Sequence, residues 1–254
     1  MKLEKVKTWH YQLQGVPNSK TLTADLLVID IDQNPKPFLI KPDGTPRAVA
    51  AYLSVGEAED YRAYWKQLHE RNIKHPVLLP ENKEWKGNYP VRFWDAGWQE
   101  IILNRVHEAK RKGFTALYLD KVDVYDDIGS LYPKAGKGVD MEREMIKFIA
   151  RIAHAEPTLD VIQQNADGLL EHKELWPLIA GIGREDLWFG EDETGEWNDA
   201  TNIRESIARM KAARIPVFVI EYLDDARNRA TAARLANANG WPIFFDAEDR
   251  ELDG

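Results

Sequence analysis

Eight short apolar runs, most of them separated by stretches of helical length, constrain this chain more than any other feature of its sequence. The runs are WHYQL (9 to 13), LLVIDI (26 to 31), AVAAYLSV (48 to 55), TALYLD (115 to 120), DVIQQN (160 to 165), DLWFGE (186 to 191), PVFVIEY (216 to 222) and PIFFDA (242 to 247). Runs of this length, rich in β-branched and aromatic residues, read as buried strands. Amphipathic segments follow at 58 to 71, 97 to 112, 138 to 156, 169 to 180, 199 to 214 and 225 to 239, several of them closed by glycine. Buried strands alternating with helices predict a parallel sheet, and eight of them predict a (β/α)8 barrel; a doubly wound open sheet is the other arrangement the pattern allows. Between the second and third strands the segment NPKPFLIKPDGTP is rich in proline, so the second helix is expected to be missing or vestigial. The segment PENKEWKGNYPVRFWD (80 to 95) is a long excursion of the kind that shapes sites on barrels. With no internal repeat and no linker, residues 1 to 254 read as a single domain.

Composition removes several chemistries. The chain has no cysteine, which excludes disulfides, thiolate metal sites and cysteine nucleophiles. Its formal net charge is −8 and its basic residues form no block beyond KRK at 110 to 112, so nucleic acid is not an expected partner. No apolar run approaches the roughly 18 residues of a membrane span, and MKLEKVKTWHYQLQG lacks the apolar core of a signal peptide. The six histidines are dispersed without ligand spacing, and GKG at 136 to 138 lacks the strand and glycine spacing of a phosphate loop. Neither a metal nor a cofactor is therefore expected.

What remains is carboxylate chemistry. Nearly every expected strand ends in polar groups, among them Asp30, Ser54, Asp120, Asn165, Glu191, Glu221 and Asp246, and in a barrel these ends share one mouth. Glu57, Glu59, Asp95 and Asp224 read equally well as residues that start helices. Asp120, Glu191 and Glu221 instead finish apolar strands, where an unpaired charge is costly without a function. Carboxylates beside nine tryptophans are the equipment of a glycoside hydrolase.

The segments YLSVGEAEDYR (52 to 62), VRFWDAGWQEII (91 to 102), GFTALYLDKVDVYD (113 to 126) and VFVIEYL (217 to 223) resemble glycoside hydrolase family 114, the endo-α-1,4-polygalactosaminidase family, in its bacterial branch once labelled as related to cysteinyl-tRNA synthetase. The synthetase label finds no support, because the chain lacks the H-I-G-H signature and zinc-ligand cysteines. The resemblance implies a barrel that cleaves α-1,4-linked galactosamine- or N-acetylgalactosamine-containing polysaccharide within the chain, secreted or periplasmic although no signal peptide is visible. A catalytically inactive, glycan-binding barrel is the alternative. On the motif Y-L-D-x-V-D the nucleophile falls on Asp120. The sixth-strand acid/base falls on Glu191, with Glu185 or Glu193 one alignment slip away and Glu221 as a rival from the seventh strand. Asp30, Tyr52, Ser54, Glu57, Trp94, Asp123, Asn165, Glu221 and Tyr222 are the expected substrate contacts. An acidic mouth would favour a cationic amino sugar.

Overall fold

The computed structural model describes residues 2–190 and 196–253. Among these residues the elements run β1 (Trp9–Gln12), β2 (Leu26–Asp30), β3 (Ala48–Ser54), β4 (Glu57–Glu59), α1 (Trp65–Asn72), β5 (Asn88–Pro90), α2 (Ala96–Lys112), β6 (Ala116–Asp120), α3 (Val124–Leu131), α4 (Met141–Ala155), β7 (Asp160–Gln164), β8 (Gly181–Glu185), α5 (Ala200–Ala213), β9 (Val217–Tyr222), α6 (Ala226–Asn239) and β10 (Ile243–Asp246). Eight strands pair in parallel in the order β1-β2-β3-β6-β7-β8-β9-β10 and curl into a nearly closed barrel flanked by helices. At the seam the Phe244 ring of β10 meets Trp9 and His10 of β1, with centroids 5.9 and 5.0 Å apart. The segment after β10 crosses the same seam, where the Leu252 carbonyl accepts the N–H groups of Leu13 and Gln14.

Alternation along each strand divides the apolar residues into two cores. Leu26, Val28, Ala50, Tyr118, Phe218 and Ile220 fill the barrel interior, whereas Leu27, Ile29, Val49, Leu117 and Val219 pack outward under the helices. The helices begin where aspartates accept orphan backbone N–H groups: Asp95 caps α2 through Gly97 and Trp98, and Asp140, Asp199 and Asp225 cap α4, α5 and α6.

The second helix is vestigial, as the prolines imply: only a 3-10 turn at Lys36–Phe38 lies between β2 and β3. In its place the buried Arg47 ties that segment down, donating to the carbonyls of Ala24 (2.7 Å), Phe38 (2.9 Å) and Leu22.

Three expectations need correction. Residues 57–59 form a strand antiparallel to Asn88–Pro90, so the helix expected at 58 to 71 begins only at Trp65. The segment 169 to 180 carries 3-10 turns at Asp167–Glu171 and Lys173–Leu178 in place of an α-helix. The sixth barrel strand is Gly181–Glu185, not 186 to 191. Its inward positions are Gly181 and Gly183, which give no apolar signal, while the conspicuous Leu187, Trp188 and Phe189 bury themselves in the outer core.

Candidate active site

The carboxyl ends of the barrel strands surround a cavity of about 630 Å3. Its floor is the aromatic top of the interior core, where the Tyr11 ring lies 5.1 Å from that of Tyr118. Space for that floor depends on a glycine. A Cβ on Gly183 would lie 2.0 Å from the Tyr118 hydroxyl oxygen, so β8 can carry no side chain there.

Two carboxylates enter the cavity from strands two apart, Asp120 at the end of β6 and Glu185 at the end of β8. Each is held by a tyrosine from the strand on its far side. Tyr52 donates to Asp120 Oδ2 at 2.6 Å, and Tyr222 donates to Glu185 Oε1 at 2.5 Å. The second oxygens are also occupied, Asp120 Oδ1 by the backbone N–H of Lys121 (2.6 Å) and Glu185 Oε2 by the amide of Asn165 (3.0 Å). Both tyrosines are buried and stay protonated far above neutrality, so they can only donate to these groups. Burial pushes Asp120 up to about 7; Lys121 pulls against it and the negative charge of Glu185 adds to it. Asp120 thus gains or loses its proton near neutral pH.

The backbone turns sharply just beyond these groups. Lys121, Asn165 and Asp186, which follow the last residues of β6, β7 and β8, all lie in the left-handed region with φ of 56, 52 and 47°. For residues other than glycine that conformation costs about 1 kcal/mol or more, and such strain gathers at sites that need a fixed geometry. On the β3 side Gly56 permits the close approach, since a Cβ there would lie 2.1 Å from the Lys121 carbonyl oxygen. The Lys121 ammonium stays charged against the cost of burial because Glu57, Asp120, Asp123 and Asp127 surround it. Asp123, also in the cavity wall, is pushed up to about 6 by burial, with Lys121 opposing.

The wall from β2 to β4 is an ionic lattice around Arg62. Its guanidinium binds Asp30 in bidentate fashion at 2.8 and 2.7 Å, Asp32 at 2.8 Å and Glu59 at 2.7 Å, with only 3% of the side chain exposed. Asp32 is also paired with Arg105 at 2.5 Å, so three carboxylates meet two cations here. The exposed Tyr61 and Trp85 rise at its rim.

Of the expected contacts, Asp30, Tyr52, Asp120, Asp123, Asn165 and Tyr222 line this cavity. Four others do not. Glu221 shares the outward parity of Val217 and Val219; it is fully buried, and its Oε1 accepts the N–H of Trp188 at 2.9 Å, so it braces the loop after β8. Burial pushes Glu221 up to about 8. Ser54 donates to the carbonyl of Glu57, and Glu57 lies buried behind the wall, accepting from Asn82 at 2.9 Å. Trp94 sits edge-on to Phe93, 5.0 Å between centroids, and packs on the outer core. Glu191 lies outside the described residues. Sequence reasoning passed over Tyr11, Arg62 and Arg250, and placed Gln164 only among the polar strand ends; all four line the cavity. Arg250 sits in a tail with no periodic pattern.

The model of glycoside hydrolase family GH114 matches residues 1–253. The chain belongs to this family. An uncharacterized protein of Methanocaldococcus jannaschii is 30% identical over 96% of this chain and 77% of its own, and one of Deinococcus radiodurans is 30% identical over 99% and 83%. The fold is shared with solved structures. The glycoside hydrolase domain of PelA from Pseudomonas aeruginosa superposes with a TM-score of 0.75 at 19% identity, covering 98% of this chain and 97% of that one. Ega3 of Aspergillus fumigatus, solved in complex with galactosamine, gives 0.74 at 20% identity over 96% and 92%. Membership of the family and the barrel together support glycoside hydrolase activity for this GH114 protein.

Proposed function

We propose that this protein is a retaining endo-glycosidase that cleaves α-1,4-linked galactosamine- or N-acetylgalactosamine-containing polysaccharide, with Asp120 as nucleophile and Glu185 as acid/base. The observation that carries the reading is the pair of carboxylates in one cavity, each held on both oxygens by fixed donors. Glu185 takes the acid/base role that the sequence resemblance gave to Glu191, because the sixth strand ends at Glu185.

In this reading Glu185 protonates the glycosidic oxygen while Asp120 attacks the anomeric carbon, giving a covalent glycosyl-enzyme. Glu185, now ionised, takes a proton from the water that attacks the same carbon and frees Asp120. Strands two apart start roughly 10 Å from each other, and carboxylates leaning inward can reach the roughly 5 to 5.5 Å of a retaining pair. The lysine that follows the nucleophile and the Tyr52 hydroxyl both favour the ionised form of Asp120. The carboxylates lining the cavity, Asp30, Asp32, Glu59, Asp120, Asp123, Glu185 and Glu251, outnumber its cations Arg62, Lys86, Lys121 and Arg250, which suits a substrate carrying amines. By the family resemblance we propose that this protein acts outside the cytoplasm.

Digestion of galactosamine polymers of graded acetylation, with NMR of the first-formed product, tests the reading. Retained anomers are expected, with cleavage weakening as salt or acetylation rises. Asp120→Asn should abolish turnover but not polymer binding. Inverted products, or full activity in Asp120→Asn, would overturn the assignment. An unaltered protein that binds the polymer without cleaving it would make this an inactive glycan-binding barrel.

A further inference from the structure

The segment after β10 is more than a seam cover. Leu252 is anchored by its N–H to Asp246 Oδ2 at 3.0 Å and by its carbonyl to Leu13 and Gln14, and the Asp253 carbonyl accepts from the Gln12 side chain at 2.7 Å. Arg250 and Leu252 both adopt the left-handed conformation, with φ of 58 and 51°. Leu252 is buried with the interior core, and Arg250 enters the cavity wall beside Tyr222.

The Arg250 guanidinium lies 4.4 Å from the centroid of the Tyr222 ring and donates to Asp186 Oδ2 at 2.8 Å. Asp186 is the residue next to Glu185, and its side chain is 13% exposed. Tyr222 in turn donates to Glu185 at 2.5 Å. A continuous path therefore runs from the carboxyl-terminal strap to the acid/base: Asp186 fixes the guanidinium, the guanidinium covers the ring, and the ring aims its hydroxyl at Glu185. A cation over an aromatic face restrains the ring and draws electron density from it, making the phenol a stronger donor.

We propose that Arg250 is a positioning residue for Glu185, acting through the Tyr222 ring, so that the strap and not the barrel alone sets the geometry of proton transfer. This rests on the reading of Glu185 as acid/base. Other charged or titratable groups facing Glu185 are Asp120 and Tyr118 of β6, Asp123 beyond it and Asp186 on its own loop. Of these, Asp186 is the one tied to the strap.

The test is a double-mutant cycle between Arg250→Gln and Tyr222→Phe on partly deacetylated galactosamine polymer, with Arg250→Lys as the conservative variant. Arg250→Gln should lower kcat about tenfold with little change in KM. In the Tyr222→Phe background it should cost almost nothing more, and Arg250→Lys should recover most of the rate. Losses that multiply in the double variant, or a rise in KM with kcat intact, would overturn the proposal; the latter would make Arg250 a substrate contact. A crystal structure of Arg250→Gln gives a readout independent of substrate: the Tyr222–Glu185 hydrogen bond should lengthen or break, and an unchanged bond would refute the inference. Glu185→Gln separates the two failures. If it does not slow poor leaving groups more than activated ones, the acid/base reading falls, whatever Arg250 does.

Discussion

Removal of a single hydroxyl, Tyr52→Phe, tests which member of the carboxylate pair must be ionised. The Tyr52–Asp120 hydrogen bond is 2.6 Å long, between a buried tyrosine and a half-buried carboxylate. A short O–H···O bond to an ionised carboxylate contributes about 1.5 to 3 kcal/mol, and a tenfold change in proton affinity corresponds to roughly 1.4 kcal/mol. The bond favours the ionised form, so deleting it raises the pKa of Asp120 by about one to two above its present value of about 7. If Asp120 is the nucleophile, kcat/KM should fall about tenfold to a hundredfold at pH 6, and the loss should shrink as pH rises, because the acid limb of the profile moves alkaline. The assay is kcat/KM against pH on a glycoside with an activated leaving group, so that protonation by Glu185 is not limiting. An acid limb that does not move would refute the reasoning. Movement of the alkaline limb alone would make Asp120 the proton carrier.

Further perturbations address the fold and the limits of the site. Folded Glu221 keeps its proton up to about 8 while the unfolded chain releases it near the ordinary value of 4.5, so its contribution to stability is fully present below about 4 and is lost as pH rises through about 8. Glu221→Gln should leave stability nearly unchanged at pH 4 and increase it at pH 8, by a few kcal/mol at most, read as a rise in melting temperature at pH 8 alone; equal effects at both pH values would contradict this. Gly183→Ala places a methyl group 2.0 Å from the Tyr118 hydroxyl oxygen and should cost about 1 to 3 kcal/mol, or several degrees of Tm by calorimetry. Among the described residues no cluster of three His, Cys, Asp or Glu could hold a metal ion. The proposed mechanism uses only the carboxyl groups of Asp120 and Glu185, so hydrolysis should survive exhaustive chelation, and a loss reversed by one divalent ion would refute it.

Local sequence determined the architecture because burial leaves a period. The interior and exterior faces of β2, β3, β6 and β9 both need apolar residues, so these strands stand out as continuous apolar runs, and the helices between them announce their starts with Asp95, Asp199 and Asp225. The prolines around Lys36 likewise foretold the missing helix. Asp120, at the end of such a run, was legible for the same reason. Glu185 surfaced only as an alignment slip from Glu191, because β8 must be glycine on its inner face to clear Tyr118 and Phe218, which strips the strand of its signal and lends it to the neighbouring LWF segment. Glu221 misled in the opposite direction: an acidic residue at a strand end looks functional, and only the register of β9 shows that it faces outward while Tyr222 faces the cavity. Arg62 and Arg250 acquire their roles from partners far away in sequence, Asp30 in one case and Asp186 in the other. Periodicity is a property of one segment and survives in the sequence. Which carboxylate meets which tyrosine depends on how strands are registered around the barrel, and that is decided only when the sheet closes.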